Sequence, residues 1–122
     1  MLVANSDLSS RSAIAELLTN LGYKVVVASN GEQALALIEL GGIDLVVSAM
    51  VMDGMDGLEL LWAMRDARLE MPVVAISSGA DMIDEVYLRS AALYGAVKTY
   101  SWPLAQSLFI GGVQEILNSP AK

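Results

Sequence analysis

Cysteine is absent from the 122 residues, so disulfides and thiolate metal sites are excluded. Histidine is absent too, which removes the usual general base and the commonest transition-metal ligand. Charge is sparse: 17% of residues are charged and 55% hydrophobic, a more apolar balance than that of an average soluble domain. The excess fits a thoroughly buried sheet or a surface that expects a partner. The charges present sum to −7, which disfavours nucleic acid and anionic membrane as direct partners. No apolar run approaches the ~18 residues of a membrane span. The first residues lack the basic start and long apolar segment of a secretory signal, and a cytoplasmic location is expected. The length suits one domain with one core.

What is there alternates between two patterns. Met1 to Ala4 is a short apolar strand, followed by Asn5-Ser6-Asp7, a cluster of good helix N-caps. Ile14, Leu17, Leu18 and Leu21 then recur at helical spacing, and Gly22 is a natural stop. Lys24 to Ala28 reads as strand, Ser29-Asn30 as a cap, Glu32 to Leu40 as helix, and Gly41-Gly42 as its end. Ile43 to Ser48 is the third strand, and Leu58 to Arg68 the third helix, with Leu61 and Met64 on one side and Arg65 and Asp66 on another. Val73 to Ser77 is the fourth strand, turned by Ser78-Gly79; Met82 to Leu93 is the fourth helix, stopped by Gly95. Ala96 to Tyr100 reads as a weak fifth strand. Pro103 suits the first turn of a last helix reaching about Asn118. Gly111 and Gly112 inside it cost about 1 kcal/mol each relative to alanine. Five strand–helix pairs predict an α/β fold: a parallel sheet covered by helices on both faces, doubly wound, in the strand order 2-1-3-4-5.

The chain is organised around Ile43 to Gly57, IDLVVSAMVMDGMDG. An apolar run closed by turn-permitting glycines reads as a strand buried on both faces. The loop at its C-terminal end is where open parallel sheets place ligand chemistry. Ala49 stands at the key position there, a methyl group where a reacting side chain would be expected.

These residues resemble the receiver domain of two-component response regulators, over the whole chain. The most specific piece is DLVVSAMVMDGMDGLELL, Asp44 to Leu61, which is similar to the family's segment around the phosphorylated aspartate, with Gly54, Met55, Asp56 and Gly57 in register. Pro72 to Ser77 resembles the family's fourth strand, and Gly95-Ala96 and Pro103 its fifth strand and the following turn. The resemblance implies a three-layer, flavodoxin-like receiver domain over 1–118 with five helices, and a frayed tail over 119–122. The family moves a phosphoryl group from a partner's histidine to its own aspartate. That needs a nucleophilic carboxylate after the third strand and two more after the first to hold Mg²⁺. It also needs a hydroxyl and a lysine on the phosphoryl oxygens.

Position by position, the resemblance puts Ala49 where the acceptor aspartate stands, Asn5 and Ser6 on the acidic metal pair, and Trp102 on the lysine. Asp53 replaces the usual proline after the strand. Ser77 alone matches, as the switch hydroxyl, and Thr99 takes the place of the switch aromatic, with Tyr100 beside it. The losses are mutually consistent: clustered carboxylates repel without cation or lysine, and a buried lysine is costly without carboxylates. The expectation is a degenerate phosphoacceptor pocket of Asn5, Ser6, Ala49, Ser77 and Trp102. There is then no catalytic residue, no metal, no cofactor and no enzymatic activity. The implied role is that of a pseudo-receiver signalling by protein–protein contact, through a histidine kinase, an output domain or a second copy of itself. Two other readings stay open: an atypical phospho-accepting receiver and a flavodoxin-like small-ligand module.

Single residues carry alternatives. Asp53 is a displaced acceptor or an ordinary loop acid. Asp7 holds a cation or caps the first helix. Ser6, Ser9 and Ser10 cradle a phosphate at a helix start or do not. Trp102 is a partner hot spot or fills the space left by the missing pair. Met50, Met52 and Met55 form an adaptable lip or pack inward. Tyr87, Arg89, Tyr94, Lys98 and Tyr100 fall on the fourth helix and fifth strand, where the resemblance implies signalling contacts, or they are ordinary surface. Leu104, Leu108, Phe109, Ile110, Val113, Ile116 and Leu117 exceed one helical stripe, so part of the last helix is a candidate contact surface.

Overall fold

The computed structural model describes residues 1–77 and 82–118, without the side chains of 82–85. The expected Ser78-Gly79 turn and the 119–122 tail lie outside the described residues. The elements are β1 (Leu2–Ala4), α1 (Leu8–Asn20), β2 (Val26–Ala28), α2 (Gly31–Glu39), β3 (Val46–Ala49), α3 (Gly57–Asp66), β4 (Val73–Ser77), α4 (Met82–Leu93), β5 (Lys98–Ser101) and α5 (Gln106–Asn118). All strand pairs are parallel, in the order β2-β1-β3-β4-β5, as the alternating pattern requires.

Side-chain alternation along each strand divides the core in two. Leu2, Ala4, Val46, Val73 and Ala75 meet Ala34 and Ile38 of α2, Leu60, Leu61 and Met64 of α3, and Ala91 of α4. Val3, Val47, Val74 and Ile76 meet Ile14 and Leu18 of α1 and Phe109 and Val113 of α5. Burying each of these larger side chains stabilises by roughly 1.5–3 kcal/mol. Both faces of β3 and β4 are covered, so their sequences are almost wholly apolar, with Ser48 and Ser77 the buried polar residues near their C-terminal ends. At the edge strand β2 the cover fails: Val26 and Val27 remain 44% and 46% exposed.

Helix starts are fixed by side-chain caps. Asp7 accepts from the Ser10 amide (3.0 Å), Asn30 from the Gln33 amide (2.8 Å) and Asp56 from the Glu59 amide (2.9 Å). Glu59 returns the bond to Asp56, completing a capping box. The expected start of α5 is corrected. Pro103 lies outside the helix, which begins at Gln106, and the Trp102–Pro103 peptide is cis. The Trp102 amide donates to the Ser77 carbonyl at 3.0 Å. That bond carries the β4–β5 ladder up to the proline, so the chain turns into the helix only afterwards.

Candidate functional site

The site lies where β1, β3 and β4 end side by side. Ala4 is paired with Ser48 and Ala49 with Ile76, so Asn5 and Ser6 emerge beside Ala49, and Ser77 closes the other flank. Ala49 is the last residue of β3 and 9% exposed. Its carbonyl accepts from the buried Ser48 hydroxyl at 2.9 Å. Ser77 is 2% exposed, and its hydroxyl has no hydrogen-bond partner among the described residues. Trp102, half-buried, packs with Leu104 against the α1/α5 side of the core.

The polar groups left at the rim are engaged with one another. The Asn5 side-chain oxygen accepts from the Asp7 amide at 2.9 Å, an Asx turn. The Asn5 carbonyl accepts from the Arg11 guanidinium at 3.0 Å. The Ser6 hydroxyl donates to the Ser29 carbonyl at 2.8 Å and accepts from the Asp53 amide at 2.9 Å. Asp7 takes the capping role: Ser10 gives it both its hydroxyl (2.6 Å) and its amide. Those bonds, the hydroxyl's first, hold the Asp7 carboxyl below its ordinary value, helped by Arg11. The carboxylate therefore occupies the start of α1, where the phosphate-cradle reading would need its ligand. Asp53 is exposed, and only its amide is tied into the site.

The loop from Met50 to Asp56 is shaped by close approaches. Met50 and Met52 are buried and Met55 packs against them, so these methionines fill the core rather than forming a lip. A Cβ on Gly57 would collide with the Ala49 carbonyl and the Met50 methyl and lie 2.9 Å from the Met50 backbone; one on Gly31 would lie 2.5 Å from the Met55 carbonyl. Gly54 turns the loop at φ 68°.

The five residues expected on one contact face do not share one set of neighbours. Lys98 and Tyr100 line a groove of about 440 Å³ with Ser107, Leu108, Gly111, Gly112 and Glu115 of α5. Lys98 pairs with Glu115 at 3.5 Å. Tyr100 stands edge-on to Phe109, ring centroids 5.5 Å apart, and bonds the Leu108 carbonyl at 3.3 Å. Tyr94 instead meets Trp62 of α3 in a perpendicular pair at 5.5 Å. Tyr87 packs against the α2–α4 core. Arg89 is exposed on α4, as is Thr99 on β5. Of the last helix's apolar cluster, Phe109 and Val113 are buried, whereas Leu108 is 70% exposed.

Sequence reasoning missed the Ser6 bridge, because Ser29 and Asp53 are remote along the chain and nothing local marks them as partners. It also missed Trp62 with Tyr94. The close passage of Tyr100 over Gly112, where a Cβ would strike the tyrosine hydroxyl, did have a signal: a glycine inside an otherwise apolar helix.

With this geometry in view, the chain belongs to the response regulator receiver domain family, whose model matches residues 1–106. It is similar to the transcriptional regulatory protein GlrR of Escherichia coli K12, 26% identical over 121 residues, which cover 99% of this chain and 27% of GlrR. It is also similar to the two-component response regulator-like protein PRR37 of Oryza sativa subsp. indica, 35% identical over 86 residues, covering 67% of this chain and 12% of that one. The crystal structure of the receiver domain of NtrX from Brucella abortus superposes with a TM-score of 0.88 at 26% identity, covering 98% of both chains. The chain thus spans about a quarter or less of the length of these two curated relatives. It is a signalling module of the two-component class with a flavodoxin-type fold. Among the described residues no helix is long and apolar enough to cross a membrane.

Proposed function

We propose that this receiver domain works without phosphate and signals by protein–protein contact. The observation that carries the reading is Ala49: its methyl group ends β3 at the position where the family's acceptor carboxylate belongs, and a methyl group has no lone pair to attack phosphorus. The surroundings support it. The Asn5 side-chain oxygen accepts from the Asp7 amide, and the Ser6 hydroxyl spends its proton on the Ser29 carbonyl and a lone pair on the Asp53 amide. Asp7 is spent on the α1 cap. Among the described residues no cluster of three or more acidic side chains could hold a metal ion. A hard divalent cation needs several oxygens with charge among them, so this donor set does not fit Mg²⁺. Trp102 supplies packing rather than the cationic contact that a transferring phosphoryl group requires.

The contact surface we assign is the outer side of α4, β5 and α5. Val86, Arg89 and Leu93 form an exposed stripe at helical spacing on α4. Lys98, Tyr100 and Leu108 border the groove on α5. The partners that suit it are a histidine kinase, an output domain or a second copy; light scattering on the eluting protein distinguishes a dimer from a monomer directly.

The reading is tested by incubating the protein with acetyl phosphate and Mg²⁺ and measuring intact mass. No phosphoryl adduct is expected, and a stable stoichiometric one overturns it. Ala49→Asp alone stays unphosphorylated in the same assay, because Asn5, Ser6 and Trp102 still provide neither cation ligands nor a cation.

A further inference from the structure

The site's rim is held together by one neutral hydroxyl. Ser6 follows β1; Ser29, whose carbonyl it bonds, follows β2; Asp53, whose amide it receives, follows β3. A single oxygen therefore ties three loops at the C-terminal edge of the sheet. Only a group that is donor and acceptor at once can do this. An ionised carboxylate accepts only, so it could take the Asp53 amide but would repel the Ser29 carbonyl; a hydroxyl satisfies both.

We infer that the Ser6 hydroxyl is a cation-independent clamp that fixes the loop after β3 against those after β1 and β2, so that this edge keeps one arrangement whether or not divalent ions are present. In a site built from carboxylates, an ion would have to gather these loops. Here the link is covalently part of the chain, carries no charge and needs no occupant. Neighbouring contacts lean the same way. The Gly31 amide at the start of α2 donates to the Met55 carbonyl at 3.0 Å. Asn5 is pinned from outside by Arg11. The loop displays Val51, 57% exposed, so the clamp presents a preformed apolar point beside the uncharged pocket.

The inference rests on the functional reading in one respect, the misfit of a divalent ion, and the two fail separately. A phosphate adduct would end the functional reading while leaving the clamp's amide protection intact. A clamp that Ser6 does not make leaves the mass experiment unchanged.

The test is residue-resolved amide hydrogen exchange by NMR on the 122-residue protein, in chelator and again with MgCl₂. In chelator the Asp53 amide is protected, and MgCl₂ leaves its rate unchanged. Ser6→Ala accelerates Asp53 exchange about tenfold, while the Gly57 amide, which donates to the Met50 carbonyl at 2.8 Å, stays as slow as before. Ser6→Thr, which keeps the hydroxyl, keeps the protection. Unchanged Asp53 exchange in Ser6→Ala overturns the inference. So does Gly57 accelerating in step with Asp53, because the serine would then be supporting the fold in general. Further protection of Asp53 by MgCl₂ in the wild type overturns it as well, as does failure of the threonine variant to rescue.

Discussion

Ala49 and Gly57 stand at the two ends of the same loop and are held differently. Ala49 is the last residue of β3 and keeps 9% of its surface exposed. At 57 there is no room even for a methyl group, since a Cβ would strike the Ala49 carbonyl and the Met50 methyl. The same contrast runs through the whole site. In the functional reading proposed above, Asn5, Ser6, Ala49 and Trp102 leave the pocket without a carboxylate pair, an acceptor or a lysine. Gly31, Gly54, Asp56 and Gly57, which frame them, hold the loop by close approaches, a positive φ and a helix cap. The difference teaches that the loop's shape and the pocket's charge are separable. The shape rests on backbone close approaches and a helix cap, and none of these depends on a carboxylate ring.

The contrast breaks most clearly at Gly57. Gly57→Ala forces backbone apart at the end of β3, and urea denaturation should show a loss of about 3 kcal/mol, the scale of overpacking. Smaller than that, yet measurable in the same way, Asp56→Ala removes the α3 cap and its capping box and costs about 1 kcal/mol. On the pocket side, Asn5→Asp keeps the oxygen that receives the Asp7 amide and faces both Arg11 and Asp7. Its stability should stay within about 0.5 kcal/mol of wild type, and a loss as large as that of Asp56→Ala would show that the pocket is as constrained as its frame.

The smallest effect is electrostatic. The Asp7 carboxyl is held below its ordinary value by the Ser10 hydroxyl first and the Ser10 amide second. A lowered folded-state value means that its contribution is complete above the ordinary value near 3.8 and is lost as pH falls through the lowered one. Carbon-detected NMR titration should therefore find the Asp7 midpoint below 3.8 in the wild type, moving back up in Ser10→Ala.

Much of the architecture was legible along the chain because each element announces itself locally. Val73 to Ser77 and Met82 to Leu93 match the observed β4 and α4 at both ends, the first as a β-branched run, the second bounded by turn residues and Gly95. For Met50, Met52 and Met55 the sequence leaves a lip and inward packing open, and their burial against the core decides for packing. Pro103 misled because its usual place in a first helical turn is a statistical preference, whereas the actual start of α5 is decided by the bond between Trp102 and Ser77, a contact between strands. The resemblance puts Tyr87 and Tyr94 on one face with Lys98 and Tyr100; in the structure Tyr87 of α4 packs against the core, and Tyr94, just past the end of α4, meets Trp62 of α3.

The sequence by itself determined the strand–helix alternation and the clusters of capping residues, Asn5-Ser6-Asp7 and Ser29-Asn30, before the first two helices, because propensity and capping are carried by single residues and their near neighbours. Only the tertiary structure decided that Ser6 joins three loops, that Gly112 yields its space to Tyr100, and that an exposed Trp62–Tyr94 pair sits away from the α5 groove. Those are meetings of residues far apart in the chain, fixed by how parallel strands stack and which way each helix faces, and no local pattern encodes them.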